Sequence, residues 1–227
     1  MVANLQLMVF DMAGTTVRDG GQVPAAFSQA LRECDIVLRD DELANVRGAS
    51  KREAIAELVA RHAGPAWQGR SDAVYASFVR HLEREFGAGV EPITGAQEAF
   101  AFLREHGAKV ALTTGFDREV AGMLLDALRW RDLADAFVCG DDVVRGRPAP
   151  YLIFQAMQAT GVDCVHRVGV LGDTALDLQA GYNAGVAFNI GVLSGAHDRA
   201  RLSAQPHTHL LQSVADLPGL LQGLQGK

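Results

Sequence analysis

Apolar residues bunch near the start of the chain, at Leu5, Leu7, Met8, Val9 and Phe10, and the run stops at a carboxylate, Asp11. A continuous apolar run bounded by a turn suits a strand buried on both faces, as in a parallel sheet. After Thr16 the apolar positions switch to helical spacing. Pro24 sits in the first turn of a helix reaching about Cys34, with Ala26, Phe27, Ala30 and Leu31 on one face. Residues 40–46 read as a short helix ended at Gly48. Ser50-Lys51-Arg52-Glu53 is a capping-box pattern opening a helix with Ile55, Leu58 and Val59 inward, broken at Gly64-Pro65. A longer helix is predicted over about 71–86, with Val74, Phe78, Val79, Leu82 and Phe86 on one side.

From Pro92 helices and strands alternate, the signature of a parallel sheet. Helices are predicted at 95–106, 117–128, 149–160, 175–184 and 214–221. Strands are predicted at 109–113, 136–139, 167–171, 186–190 and 208–211. The fold class is therefore α/β, with residues 1–16 and 92–227 forming the sheet-containing core and residues 17–91 a helical insertion.

Composition narrows the class. The 227 residues are 48% hydrophobic, enough for one substantial core and a smaller module. A net charge of −6 without any basic run argues against a nucleic-acid partner. No apolar stretch is long enough to span a bilayer, and no leader pattern precedes Leu5, so no membrane partner is expected. Cys34, Cys139 and Cys164 are odd in number and lack metal-ligand spacing, which fits reduced thiols in a cytoplasmic protein. A homodimer stays open.

The chemistry concentrates at strand ends. Asp11 follows the first strand and Thr113-Thr114-Gly115 the second. Gly146-Arg147-Pro148 lies in the loop after the third, and Gly172-Asp173-Thr174 ends the fourth, with Asp177 a turn later. Parallel strands share a direction, so these ends converge on one edge, where open α/β sheets bind ligands. Singly each group has a structural reading: Asp173-Thr174 as an N-cap, Arg147 as a surface residue, Thr114 as a strand end. Together, three carboxylates would repel unless a cation sits among them, and oxygen ligands with open positions suit Mg²⁺. A hydroxyl and a guanidinium complete a phosphoryl site.

Asp11–Thr15, Thr114, Arg147 and Asp173…Asp177 resemble, in order and spacing, the four motifs of the haloacid dehalogenase superfamily. The resemblance implies a Rossmann-like core, with the helical insertion as its cap domain. It makes Asp11 a nucleophile that forms an aspartyl-phosphate. Asp11, Asp173 and the Ala13 carbonyl would bind Mg²⁺, with Asp177 supporting the metal site. Thr114 and Arg147 would hold phosphoryl oxygens, and Gly14, Thr15 and Gly115 would border the substrate.

Ala13 departs from most phosphatases of that superfamily, which carry there a second Asp that protonates the leaving alkoxide. DMAGTT instead looks like the phosphonatase branch, the phosphonoacetaldehyde hydrolases. In that branch a cap lysine forms a Schiff base whose imine accepts electrons as the C–P bond breaks. Gly48-Ala49-Ser50-Lys51 matches the G-x-x-K that carries that lysine. Lys51 at a helix start would feel the positive end of the dipole, which disfavours an ammonium whose unperturbed pKa is ~10.4. The chain also departs from the phosphonatase pattern, with Ala54 for a His, Phe116 for a Tyr and Arg47 for a Met. These departures resemble the sister phosphonatase-like hydrolases, and Arg47 and Gly48 become candidate substrate contacts.

The expected activity is thus Mg²⁺-dependent phosphonatase-like hydrolysis of a small phosphonate or phosphorylated metabolite. The alternatives are a phosphate monoesterase resembling phosphoglycolate phosphatase, and a non-catalytic binding protein on the same fold. His207 and His209 share a strand face without a convergent carboxylate, which reads as an exposed edge strand. Cys139 reads as a small buried hydrophobe, and Trp67 and Trp130 as packing residues.

Overall fold

The computed structural model describes residues 5–39, 42, 49–62, 65–67, 69–87 and 89–225. The expected short helix at 40–46, and with it Arg47 and Gly48, lies outside the described residues. Strand β1 (Leu7–Asp11) is followed by helices α1 (Gln22–Arg32), α2 (Lys51–His62) and α3 (Ser71–Gly87). Then come α4 (Ala96–Glu105), β2 (Lys109–Thr113), α5 (Arg118–Leu128), β3 (Ala136–Val138) and α6 (Tyr151–Thr160). The chain continues through β4 (Val168–Gly172), α7 (Ala175–Ala184), β5 (Phe188–Val192), α8 (Arg199–Ser203), β6 (His209–Leu211) and α9 (Leu217–Gln225).

The six strands form one parallel sheet in the order β3-β2-β1-β4-β5-β6. β1 lies in the middle, so all five of its residues are buried, and its apolar run needs no alternation. Leu7 and Val9 face α6 and α7 through Ile153, Ala156 and Ala180. Met8 and Phe10 face the other layer, where Phe10 meets Phe100 edge-on with ring centroids 4.9 Å apart and Phe100 meets Trp130 at 5.7 Å. Both faces of the sheet are thus covered by helices, the layered α/β arrangement expected.

The chain leaves and re-enters the sheet layer at adjacent points. Val17 bridges Pro92, Arg18 N–H donates to Glu91 O (2.9 Å), and Ile93 N–H donates to Thr16 O (2.8 Å). Between these crossings the described residues carry helices and a 3₁₀ turn but no ladder strand. α1 and α3 pack through Phe27 and Phe78, whose rings meet edge-on at 5.9 Å.

Several boundaries differ from expectation for local reasons. α6 starts at Tyr151, two residues later than expected, with Pro150 as its N-cap. β5 runs two residues later than expected, placing Gly191 opposite Leu210, whose side chain leaves no room for a Cβ. α8 was not expected from periodicity; it is a five-residue helix capped by Asp198, which accepts from Arg201 N–H at 2.9 Å. The last helix opens as a 3₁₀ turn at Val214–Asp216 and becomes α-helical only at Leu217. β6 is an edge strand, as expected, with His209 as its first residue and His207 just before it. Among the described residues no helix is long and apolar enough to cross a membrane.

Candidate active site

The carboxyl ends of β1, β2 and β4 place Asp11, Thr114 and Asp173 on one edge of the sheet, and the loop after β3 brings Arg147 across to them. Arg147 is buried and its guanidinium joins three groups. NH1 pairs with Asp11 Oδ1 at 2.9 Å, Nε pairs with Asp177 Oδ1 at 2.9 Å, and NH2 donates to Thr113 Oγ1 at 2.7 Å. Asp11, Asp173 and Asp177 offer carboxylate oxygens within 4.8 Å of one another. Three carboxylates against one guanidinium leave two negative charges, which a divalent cation would balance. The donor set is all oxygen, which fits a hard cation such as Mg²⁺.

Electrostatics agree with that fit. Burial pushes the Asp11 carboxyl well above the usual range, and Asp177 and Asp173 push it further, against the opposing pull of Arg147. Burial, then the charge of Asp177, pushes Asp173 up to about 7. Burial works against the charge of Arg147, yet Asp177, Asp11 and Asp173 together hold its pKa above the ordinary value. A bound cation would favour the ionised carboxylates.

The turn after β1 serves Asp173. Thr15 Oγ1 donates to Asp173 Oδ1 at 3.0 Å, and Gly14 lies so close that a Cβ there would stand 2.3 Å from Asp173 Oδ2. Gly14 also has φ of +90°, a conformation that glycine adopts without strain. Gly14 and Thr15 were expected to border the substrate; here they support Asp173 from behind the cavity wall. Asp177 is set back too. Its Oδ2 accepts from the N–H (3.0 Å) and hydroxyl of Thr174, a capping box at the start of α7, while Oδ1 holds Arg147.

Among the described residues, the remaining expected ones line a cavity of about 50 Å³, room for a few water molecules and so suited to a compact substrate. Asp11, Ala13, Thr114, Gly115, Arg147 and Asp173 form its base. Lys51 closes it from the helical side, as the first residue of α2; it is only 7% exposed, and its Nζ donates to Ala49 O at 3.1 Å. Phe116, Val23 and Phe27 supply apolar wall, and Asp19 adds a further carboxylate.

One segment escaped sequence reasoning, the loop after β5. Ala196 N–H donates to Asp173 Oδ2 at 2.6 Å, Ser194 Oγ donates to Gly14 O at 2.8 Å, and Gly195 packs where a Cβ would lie 2.0 Å from Asp173 Oδ2. The available signal was topological, since a glycine-containing turn after another parallel strand must reach the same edge. The three residues read as structural behave so: Cys139 is buried, and burial pushes its thiol up to about 12, Trp130 is buried against Phe100, and Trp67 is partly buried against the core.

Phosphonoacetaldehyde hydrolase of Parabacteroides distasonis is 28% identical over 188 residues, spanning 71% of this chain and 70% of that protein. The enzyme of the same name from Paraburkholderia phytofirmans is 27% identical, over 99% of this chain and 97% of its own. The crystal structure of a phosphonoacetaldehyde hydrolase-like protein from Oleispira antarctica shares the fold, with a TM-score of 0.84 at 23% identity over 98% of this chain and 93% of that one. The haloacid dehalogenase-like hydrolase family matches residues 5–185, and the chain belongs to that family of hydrolases.

Proposed function

We propose that the protein is a Mg²⁺-dependent phosphonatase-like hydrolase, cleaving the C–P bond of phosphonoacetaldehyde or a closely related phosphonate aldehyde. The observation that carries this reading is Lys51. A buried amine at the start of a helix faces the same small cavity as Asp11, and the position where a leaving-group acid would stand is Ala13.

The Lys51 amine adds to the substrate aldehyde and water leaves, giving a protonated imine. The Asp11 carboxylate attacks phosphorus, the C–P bond breaks, and its electron pair flows into the imine to give an enamine. A proton added at carbon and one water release acetaldehyde from Lys51; a second water hydrolyses the aspartyl-phosphate and frees Asp11. Arg147 is fixed beside Asp11 Oδ1 and orients that carboxylate, and the Thr114 hydroxyl is placed to donate to a phosphoryl oxygen. Asp11, Asp173 and the Ala13 carbonyl are the groups that would hold Mg²⁺, which neutralises phosphoryl charge when bound. Asp177 acts behind them, by holding Arg147. Residues 17–91 serve as the cap that excludes water during transfer. Arg47 and Gly48 precede Lys51 in the chain, which keeps them as candidate substrate contacts.

A second reading rests on Asp19, a carboxylate in the same cavity. It could take the place of the missing acid at position 13, making the protein a phosphate monoesterase in which Lys51 only binds substrate. Phosphate release from phosphonoacetaldehyde and from common monoesters, with and without Mg²⁺, separates the two. Borohydride added with phosphonoacetaldehyde should trap substrate on Lys51. Turnover of monoesters alone, surviving Lys51→Ala, would overturn the phosphonatase reading.

A further inference from the structure

The start of α2 does more than present Lys51. Ser50 caps the helix by accepting from Glu53 N–H at 3.3 Å, which is half of the expected capping box. The other half is missing. The Glu53 carboxylate turns away from its own helix and accepts from Gly146 N–H (Oε1, 3.3 Å), in the loop that carries Arg147. Two neighbours also reach across to the sheet layer. Lys51 N–H donates to Gly115 O at 3.4 Å, beside Thr114, and Arg52 NH2 pairs with Asp117 Oδ2 at 3.4 Å, at the cap of α5.

The seats for this segment are glycines because it lies against backbone. A Cβ on Gly115 would stand 2.6 Å from Ala49 O, and one on Gly146 would stand 3.2 Å from Ser50 Cβ. Three consecutive residues, 51 to 53, therefore dock on the loops that carry Thr114 and Arg147. An exposed glutamate at the third position of a helix ordinarily satisfies an N–H of that helix. Here it satisfies one belonging to the catalytic loop.

We propose that Glu53 is a positioning residue, pinning the start of α2 to the Gly146–Arg147 loop so that Lys51 and the Asp11–Arg147 pair are held in register. The kinetic consequence rests on the reading of Lys51 as the imine-forming amine; the docking itself does not.

The test compares Glu53→Ala with Glu53→Gln, since glutamine keeps an acceptor oxygen for Gly146 N–H without the charge. Hydrogen exchange over residues 144–149 needs no substrate. It should accelerate about tenfold or more in Glu53→Ala and stay within about threefold of the parent in Glu53→Gln, a tenfold change being about 1.4 kcal/mol. With phosphonoacetaldehyde, Glu53→Ala should lower kcat and slow borohydride trapping at Lys51, and Glu53→Gln should restore both. Unchanged exchange in Glu53→Ala, or a glutamine variant as impaired as the alanine one, would overturn the proposal. Failure of the parent protein to be trapped at Lys51 would instead remove the imine reading, while the exchange result would still decide the docking.

Discussion

Arg147 NH1 and Asp11 Oδ1 stand 2.9 Å apart, and neither residue is more than 7% exposed. The same guanidinium holds Asp177 through Nε at 2.9 Å, so one cation orients both the proposed nucleophile and the carboxylate that caps α7. Desolvation makes such a cluster expensive unless its charges are matched. Truncating Arg147 leaves two buried carboxylates without their partner.

Arg147→Ala should destabilise the metal-free protein by about 3–5 kcal/mol, the usual cost of removing one partner from a buried pair. Arg147→Lys should recover part of this, because an ammonium restores charge but cannot reach Asp11, Asp177 and Thr113 in one planar fork. Urea denaturation of the three proteins checks the order. Equal stability of parent and alanine variant would contradict the pairing described.

Metal affinity should rise with pH. The Asp173 pKa, pushed up to about 7, means that its proton is held more tightly in the folded, metal-free protein than in the unfolded chain. That contribution to stability is fully present below about pH 4, the ordinary carboxylate range, and is lost as pH rises through about 7. A metal competes with the same proton. The increase in Tm produced by Mg²⁺ should therefore be larger at pH 8 than at pH 5.5, which thermal melts with and without the ion would measure.

Gly14→Ala should be costly for two separate reasons. Its φ of +90° disfavours any side chain, and the new Cβ would stand 2.3 Å from Asp173 Oδ2. Backbone strain alone is worth about 1–3 kcal/mol. Denaturation should show at least that loss, and Mg²⁺ titration should show weaker binding from the displaced carboxylate.

Lys51→Ala should keep the fold and lose turnover of phosphonoacetaldehyde by about a thousandfold or more, the scale expected when a group required for one step is removed. Circular dichroism would confirm the fold, and phosphate release would give the rate.

The thiols should differ in reactivity. Cys139 is buried, with its pKa pushed up to about 12 by burial, and Cys34 is buried with its pKa raised for the same reason, whereas Cys164 is partly exposed. The thiolate is the reactive form. A thiol reagent should modify Cys164 in the native protein and reach Cys34 and Cys139 only on unfolding, as mass spectrometry of the labelled peptides would show.

The amino-acid sequence by itself determined most of the elements and which polar residues stand at the strand ends. β2 and α7 have the bounds that periodicity assigns, because each is a single apolar pattern closed by its own turn or cap. The parallel alternation also determined that Asp11, Thr114, Arg147 and Asp173 lie at one edge, since every strand of such a sheet ends on the same side. Only the tertiary structure decided how those groups divide their work. Thr15 and Gly14 hold Asp173, Asp177 holds Arg147, and Glu53 leaves its own helix for Gly146. The loop at residues 194–197 reaches Asp173 through the Ala196 N–H, a backbone donor that carries no side-chain signature. Periodicity reports which face of an element is apolar, whereas hydrogen-bond partners distant in sequence are selected by packing, and packing is a property of the assembled layers.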